Sequence, residues 1–118
     1  LQRGKTERYK MSAVKKKSET CEEQLRRMCK NIAEEITEGK EDENFLRDFM
    51  DGVYDIRYIV DREKRYYAAE LMVAGGGPTI WVNLNTGYVE GFWGGDKVEE
   101  PFTDNIGLDE YLEELYGC

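Results

Sequence analysis

The sequence predicts an α+β domain in which an antiparallel meander of four or five strands is preceded by helices and followed by one more. Three observations lead there. Apolar residues recur every three to four positions over 20–38, alternate from 53 onward, and return to helical spacing over 106–116. The alternating runs are separated by short polar or glycine-bearing turns, and strands joined so tightly must be antiparallel. Such a meander needs cover on one face, which helices at both ends of the chain can supply.

Residues 1–17 carry Arg3, Lys5, Arg8, Lys10, Lys15, Lys16 and Lys17 against Glu7 and show no sustained apolar period. They predict a flexible basic arm ahead of a single domain over 18–118. Met11 is a candidate start, which would make residues 1–10 upstream sequence. The first helix spans 20–38. Thr20 and Glu23 form a capping box, and Leu25, Met28, Cys29, Ile32 and Ile36 make one stripe before Gly39. A shorter helix over 43–50 has Asp42 as its cap and Phe45, Leu46, Phe49 and Met50 as its buried face.

The period then changes to two. Tyr54, Ile56, Tyr58 and Val60 mark a strand over 53–60, and Tyr67, Ala69, Leu71 and Val73 mark a second over 65–73. Gly75, Gly76, Gly77 and Pro78 break the pattern as a wide turn. Ile80, Val82 and Leu84 mark the third strand, Val89, Gly91 and Trp93 the fourth, and residues 97–102 a short edge strand in which Pro101 is at home. The last helix, over 106–116, buries Leu108, Tyr111, Leu112 and Leu115 and leaves its acidic residues wet.

Chemistry is sparse. The chain of 118 residues has no histidine, which removes the commonest general base and the commonest metal ligand. Gly4, Lys5 and Thr6 lack the earlier glycine and preceding strand of a phosphate-binding loop. Cys21, Cys29 and Cys118 show no metal-site spacing. Cys21 and Cys29 lie about 12 Å apart along one helix, too far to bridge, so free thiols and a cytoplasmic setting are expected. No catalytic residue, metal or cofactor is expected. No apolar run is long enough for a membrane span.

Charge is the main compositional fact. The total is −8, yet residues 1–17 alone carry +6, so the rest carries −14. An acidic body repels nucleic acid and attracts basic protein surfaces. Two clusters concentrate it: Glu34, Glu35, Glu38, Glu41 and Asp42 around the end of the first long helix, and Asp109, Glu110, Glu113 and Glu114 on the last. Carboxylates at helical spacing lie about 5–6 Å apart, comparable to phosphates along a strand, so an acidic face can occupy a basic nucleic-acid channel. An acidic surface also serves solubility alone. Trp81 and Trp93 sit in neighbouring strands near Tyr88 and Phe92. If Ile80, Val82 and Leu84 face the core, Trp81 is exposed as an interface anchor, suited to a partner or to a homodimer. The basic arm is the one segment expected to touch nucleic acid, and then weakly.

The segment Gly76-Gly77-Pro78-Thr79-Ile80-Trp81-Val82, the segment Thr86-Gly87-Tyr88-Val89-Glu90-Gly91-Phe92-Trp93-Gly94 and the acidic helix after them resemble small acidic α+β proteins of phages and plasmids. Some proteins of that type are antirestriction or anti-CRISPR inhibitors. The resemblance covers about the last half of the chain and implies a non-catalytic inhibitor that occupies a host defence nuclease. It carries over no functional residues. The alternative is an acidic regulatory or antitoxin-like module with a dedicated protein partner.

Overall fold

A computed structural model describes residues 19–118, so the basic arm predicted over 1–17 lies outside the described residues. The first helix, α1 (Cys21–Thr37), starts where the capping box places it. The Thr20 hydroxyl accepts the Glu23 N–H at 3.1 Å, and the Glu23 carboxylate accepts the Thr20 N–H at 3.1 Å. Its buried stripe is Leu25, Met28, Cys29, Ile32, Ala33 and Ile36. In α2 (Glu43–Met50) the Asp42 carboxylate accepts the N–H groups of Asn44 and Phe45 at the helix start. Only Phe49 of the four apolar residues predicted to be its buried face is fully buried; Phe45, Leu46 and Met50 are half-exposed.

Five strands follow: β1 (Asp55–Val60), β2 (Tyr66–Ala74), β3 (Thr79–Asn83), β4 (Tyr88–Trp93) and β5 (Asp96–Pro101). They form one antiparallel sheet in the order β1-β2-β3-β4-β5, so every connection is a hairpin. The register sets the two faces, because side chains alternate along a strand. Ala69, Leu71, Val73, Ile80, Val82, Val89 and Val98 point into the core. Leu84, predicted to continue β3, falls in the turn. Asn83 ends the strand there, its side-chain oxygen accepting the N–H groups of Asn85 at 2.9 Å and Thr86 at 3.2 Å.

The last helix, α3 (Leu108–Tyr116), starts two residues later than its apolar spacing suggests. Gly107 is left-handed at φ 80°, and the cap comes from Asp104. That carboxylate accepts the N–H groups of Leu108 and Asp109, both at 2.9 Å. Ile106 is buried, but as part of the approach to the helix. The helices share one face of the sheet: α1 lies across β4 and β5, and α3 packs on β2. None of the helices among the described residues is long and apolar enough to cross a membrane.

The three thiols are free and differ sharply. Cys21 and Cys118 are exposed. Cys29 is buried between α1 and the sheet, and burial pushes its thiol up to about 12, helped by the Glu100 carboxylate. A maleimide reagent is therefore expected to modify Cys21 and Cys118 in the folded chain and Cys29 only on unfolding, as counted by mass spectrometry. The folded state resists ionising Cys29. Its contribution to stability is complete below about pH 9, where an unfolded thiol titrates, and is lost as pH rises towards 12.

Candidate functional site

The segment 41–43 leads into α2, and α3 runs alongside. Between them lies a groove of about 800 Å³. Its floor is apolar, made by Leu46 and Met50 of α2, Ile56 of β1, Ile106, and Tyr111 and Leu115 of α3. Its rim is acidic: Glu41, Asp42, Glu43, Asp51, Glu110 and Glu114 surround it, with Arg47 the one base. Helical geometry explains the composition. Residues 110, 111, 114 and 115 share one side of α3 at three- to four-residue spacing, so two carboxylates and two apolar side chains turn to the groove together.

Electrostatics make this rim receptive. Among the described residues, Glu41, Glu43, Asp51, Glu110 and Glu114 form no ion pair. Asp42 holds the start of α2, and the Arg47 guanidinium donates to the Asn44 side chain at 3.3 Å. Converging carboxylates repel one another, and a cationic ligand relieves that repulsion while its apolar parts cover the floor.

The structure therefore brings together only part of the acidic set singled out from the sequence. Glu41 and Asp42 join Glu110 and Glu114 across the groove. Glu34, Glu35 and Glu38 line a separate, shallower depression with Asn31, Gly39 and Phe45. Asp109 and Glu113 turn the other way on α3. The Tyr66 hydroxyl donates to Asp109 at 2.8 Å, and burial together with these two carboxylates raises the Tyr66 phenol well above its ordinary range.

The two tryptophans part company as well. Trp93 lies on the helical face, packed against the core. Trp81 lies on the open face, opposite Met72 and Glu90, half-buried with the Arg57 guanidinium 4.4 Å from its ring centre. Tyr88 and Phe92 share that open face through their pairing with Asn83 and Thr79. The aromatic patch is thus Trp81, Tyr88 and Phe92 without Trp93, and it lies on the opposite side of the sheet from the groove.

The open face also holds the single buried polar side chain among the described residues, Asn83. Its amide nitrogen donates to Glu70 at 3.3 Å and to Glu90 at 3.3 and 3.4 Å. These carboxylates are held by neutral donors. The described residues contain no cluster of three or more His, Cys, Asp or Glu side chains placed to hold a metal ion.

The apolar floor was the part sequence reasoning missed. Leu46, Met50, Tyr111 and Leu115 all belong to helical stripes predicted to face the core. The available signal was stripe width. Four of the eight residues of α2 are apolar, a wider band than one buried seam requires. Fold and site together define an α+β domain with one sheet face that no helix among the described residues covers and an acidic-rimmed apolar groove. Comparison with family models, with curated proteins and with solved structures finds no match to this chain.

Proposed function

We propose that the chain is a non-catalytic binding module whose groove receives a Lys/Arg-rich, partly apolar segment of a nucleic-acid-binding protein and competes with nucleic acid for it. The observation that carries this reading is the convergence of carboxylates from two distant parts of the chain, 41–43 and α3, on one apolar floor. A rim of this charge steers a basic surface into contact and excludes nucleic acid from itself. The resemblance of the last half of the chain favours a restriction or CRISPR nuclease as the target, and with it a bacterial cytoplasmic setting as part of the proposal.

One observation favours a second reading. A surface that only imitates phosphates needs charge, whereas the floor of Leu46, Met50, Tyr111 and Leu115 offers desolvated contact to a particular segment. That suits a regulatory or antitoxin-like module with a dedicated partner.

Cleavage assays on purified restriction and Cas nucleases separate the two. A defence inhibitor suppresses cleavage at stoichiometric amounts, and excess DNA or raised salt relieves the block. Undiminished cleavage across these nucleases removes the defence target and leaves the dedicated partner.

A further inference from the structure

We infer that the segment taken by this groove enters as an added strand along β1, extending the sheet, rather than as a helix. The inference rests on the groove reading and names the conformation of its ligand.

The two edges of the sheet are treated differently. At β5, Val98 is 2% exposed beneath α1, Arg26 of α1 reaches Glu100 at 3.1 Å, and Lys97, Glu99 and Pro101 line the strand. Charges, a proline and a covering helix are the ordinary means of closing an edge. At β1 none of the six residues is buried and there is no proline, although the strand carries the charged Asp55 and Arg57 and a bulge between Ile59 and Val60, and the Asp55 carboxylate accepts the Ile56 N–H at 2.9 Å. No other strand among the described residues pairs with its far side. Its surroundings expose apolar surface: Tyr54 is 73% exposed and Val60 40%.

The open edge and the groove are connected through Ile56, a residue of β1 whose side chain forms part of the groove floor. On the helical side of β1, Tyr58 packs against Tyr116 of α3 with ring centres 5.0 Å apart, so the strand opens onto the groove at Ile56. A strand added to β1 would run about 4.8 Å from it. Every second side chain would then descend beside Ile56 towards Leu115 and the carboxylates of Glu110, Glu114 and Asp51. Charge complementarity sets the occupant: an extended partner segment in which basic and β-branched residues alternate. Backbone pairing gives such a complex its affinity and the groove its selectivity.

The test uses the full isotope-labelled chain and two short capped peptides of equal charge, one alternating lysine with valine, the other placing lysine and leucine at helical spacing. The alternating peptide is expected to bind about tenfold more tightly, a difference of about 1.4 kcal/mol. At saturation, amide hydrogen exchange within β1 is expected to slow at least about tenfold. Methylating alternate backbone nitrogens of the peptide is expected to cost about tenfold or more in affinity, since pairing needs those donors. Tighter binding of the helical peptide with unchanged exchange in β1 overturns the strand inference and leaves the groove reading standing. If neither peptide binds, or if Glu110→Lys with Glu114→Lys leaves binding unchanged, the groove reading itself fails.

Discussion

Gly91→Val is expected to destabilise the chain by about 3 kcal/mol, at the upper end of the cost of overfilling a packed core. Gly91 faces α1 from the middle of β4. A Cβ added there would stand 2.5 Å from the Cys29 sulfur and 2.8 Å from a Leu25 methyl. Both neighbours belong to the buried stripe of α1 and are themselves 0% exposed. The helix lies this close to the sheet because residue 91 lacks a side chain. Moving it away would loosen the layer formed by Ile32, Ile36, Val89 and Val98. Denaturant midpoints give the loss directly. Gly91→Ala is expected to cost less, about 2 kcal/mol, and adding Cys29→Ala should recover part of that by removing the nearest atom. Additive losses in that double variant would show that the helix does not rest on this glycine.

Glu110→Lys combined with Glu114→Lys is expected to weaken binding of a basic segment about a hundredfold, or about 2.7 kcal/mol. Two attractive rim charges become two repulsive ones within a groove that keeps one base of its own, Arg47. Stability should hold, because both side chains are exposed and neither forms an ion pair among the described residues. A lysine at 114 also lies near the C-terminal end of α3, where a cation is favoured by the helix dipole. Unchanged melting with lost binding is therefore the expected signature. Reversing Glu34 and Glu38, exposed carboxylates outside the groove, is expected to change affinity by less than about threefold, as befits distant charges screened by salt. Equal losses from both pairs would point to net charge alone.

The fold was legible because local signals agreed with one another. Thr20 with Glu23, Asp42, and the alternation over 80–82 and 89–93 each determine a local geometry that tertiary packing leaves unchanged. Errors arose where a side chain acts at a distance. Asp104 caps α3 from four residues before its first turn, so the start at Leu108 cannot be read from apolar spacing. Asn83 closes its turn onto Asn85 and Thr86, which cuts Leu84 off from β3.

The candidate site was legible in composition but not in arrangement. Two acidic clusters stand out in the sequence, yet only helix rotation decides that Glu110 and Glu114 line one groove with Glu41 while Asp109 and Glu113 turn to Tyr66. Trp81 and Trp93 are neighbours in the strand pattern. The register, pairing Trp81 with Glu90, puts them on opposite faces. The floor was hidden because a half-covered leucine and a buried one look alike in a sequence.

The central claim is that the groove between α2 and α3 is the binding surface. It is tested most directly by following backbone amide resonances of the full chain while a lysine-rich peptide is titrated in at low and at moderate salt. Saturable shifts concentrated over 41–51, 56 and 106–115, weakening as salt rises, are the predicted result. Shifts centred on 34–38 or on the open face around Trp81, or spread evenly over all acidic residues, would contradict the account.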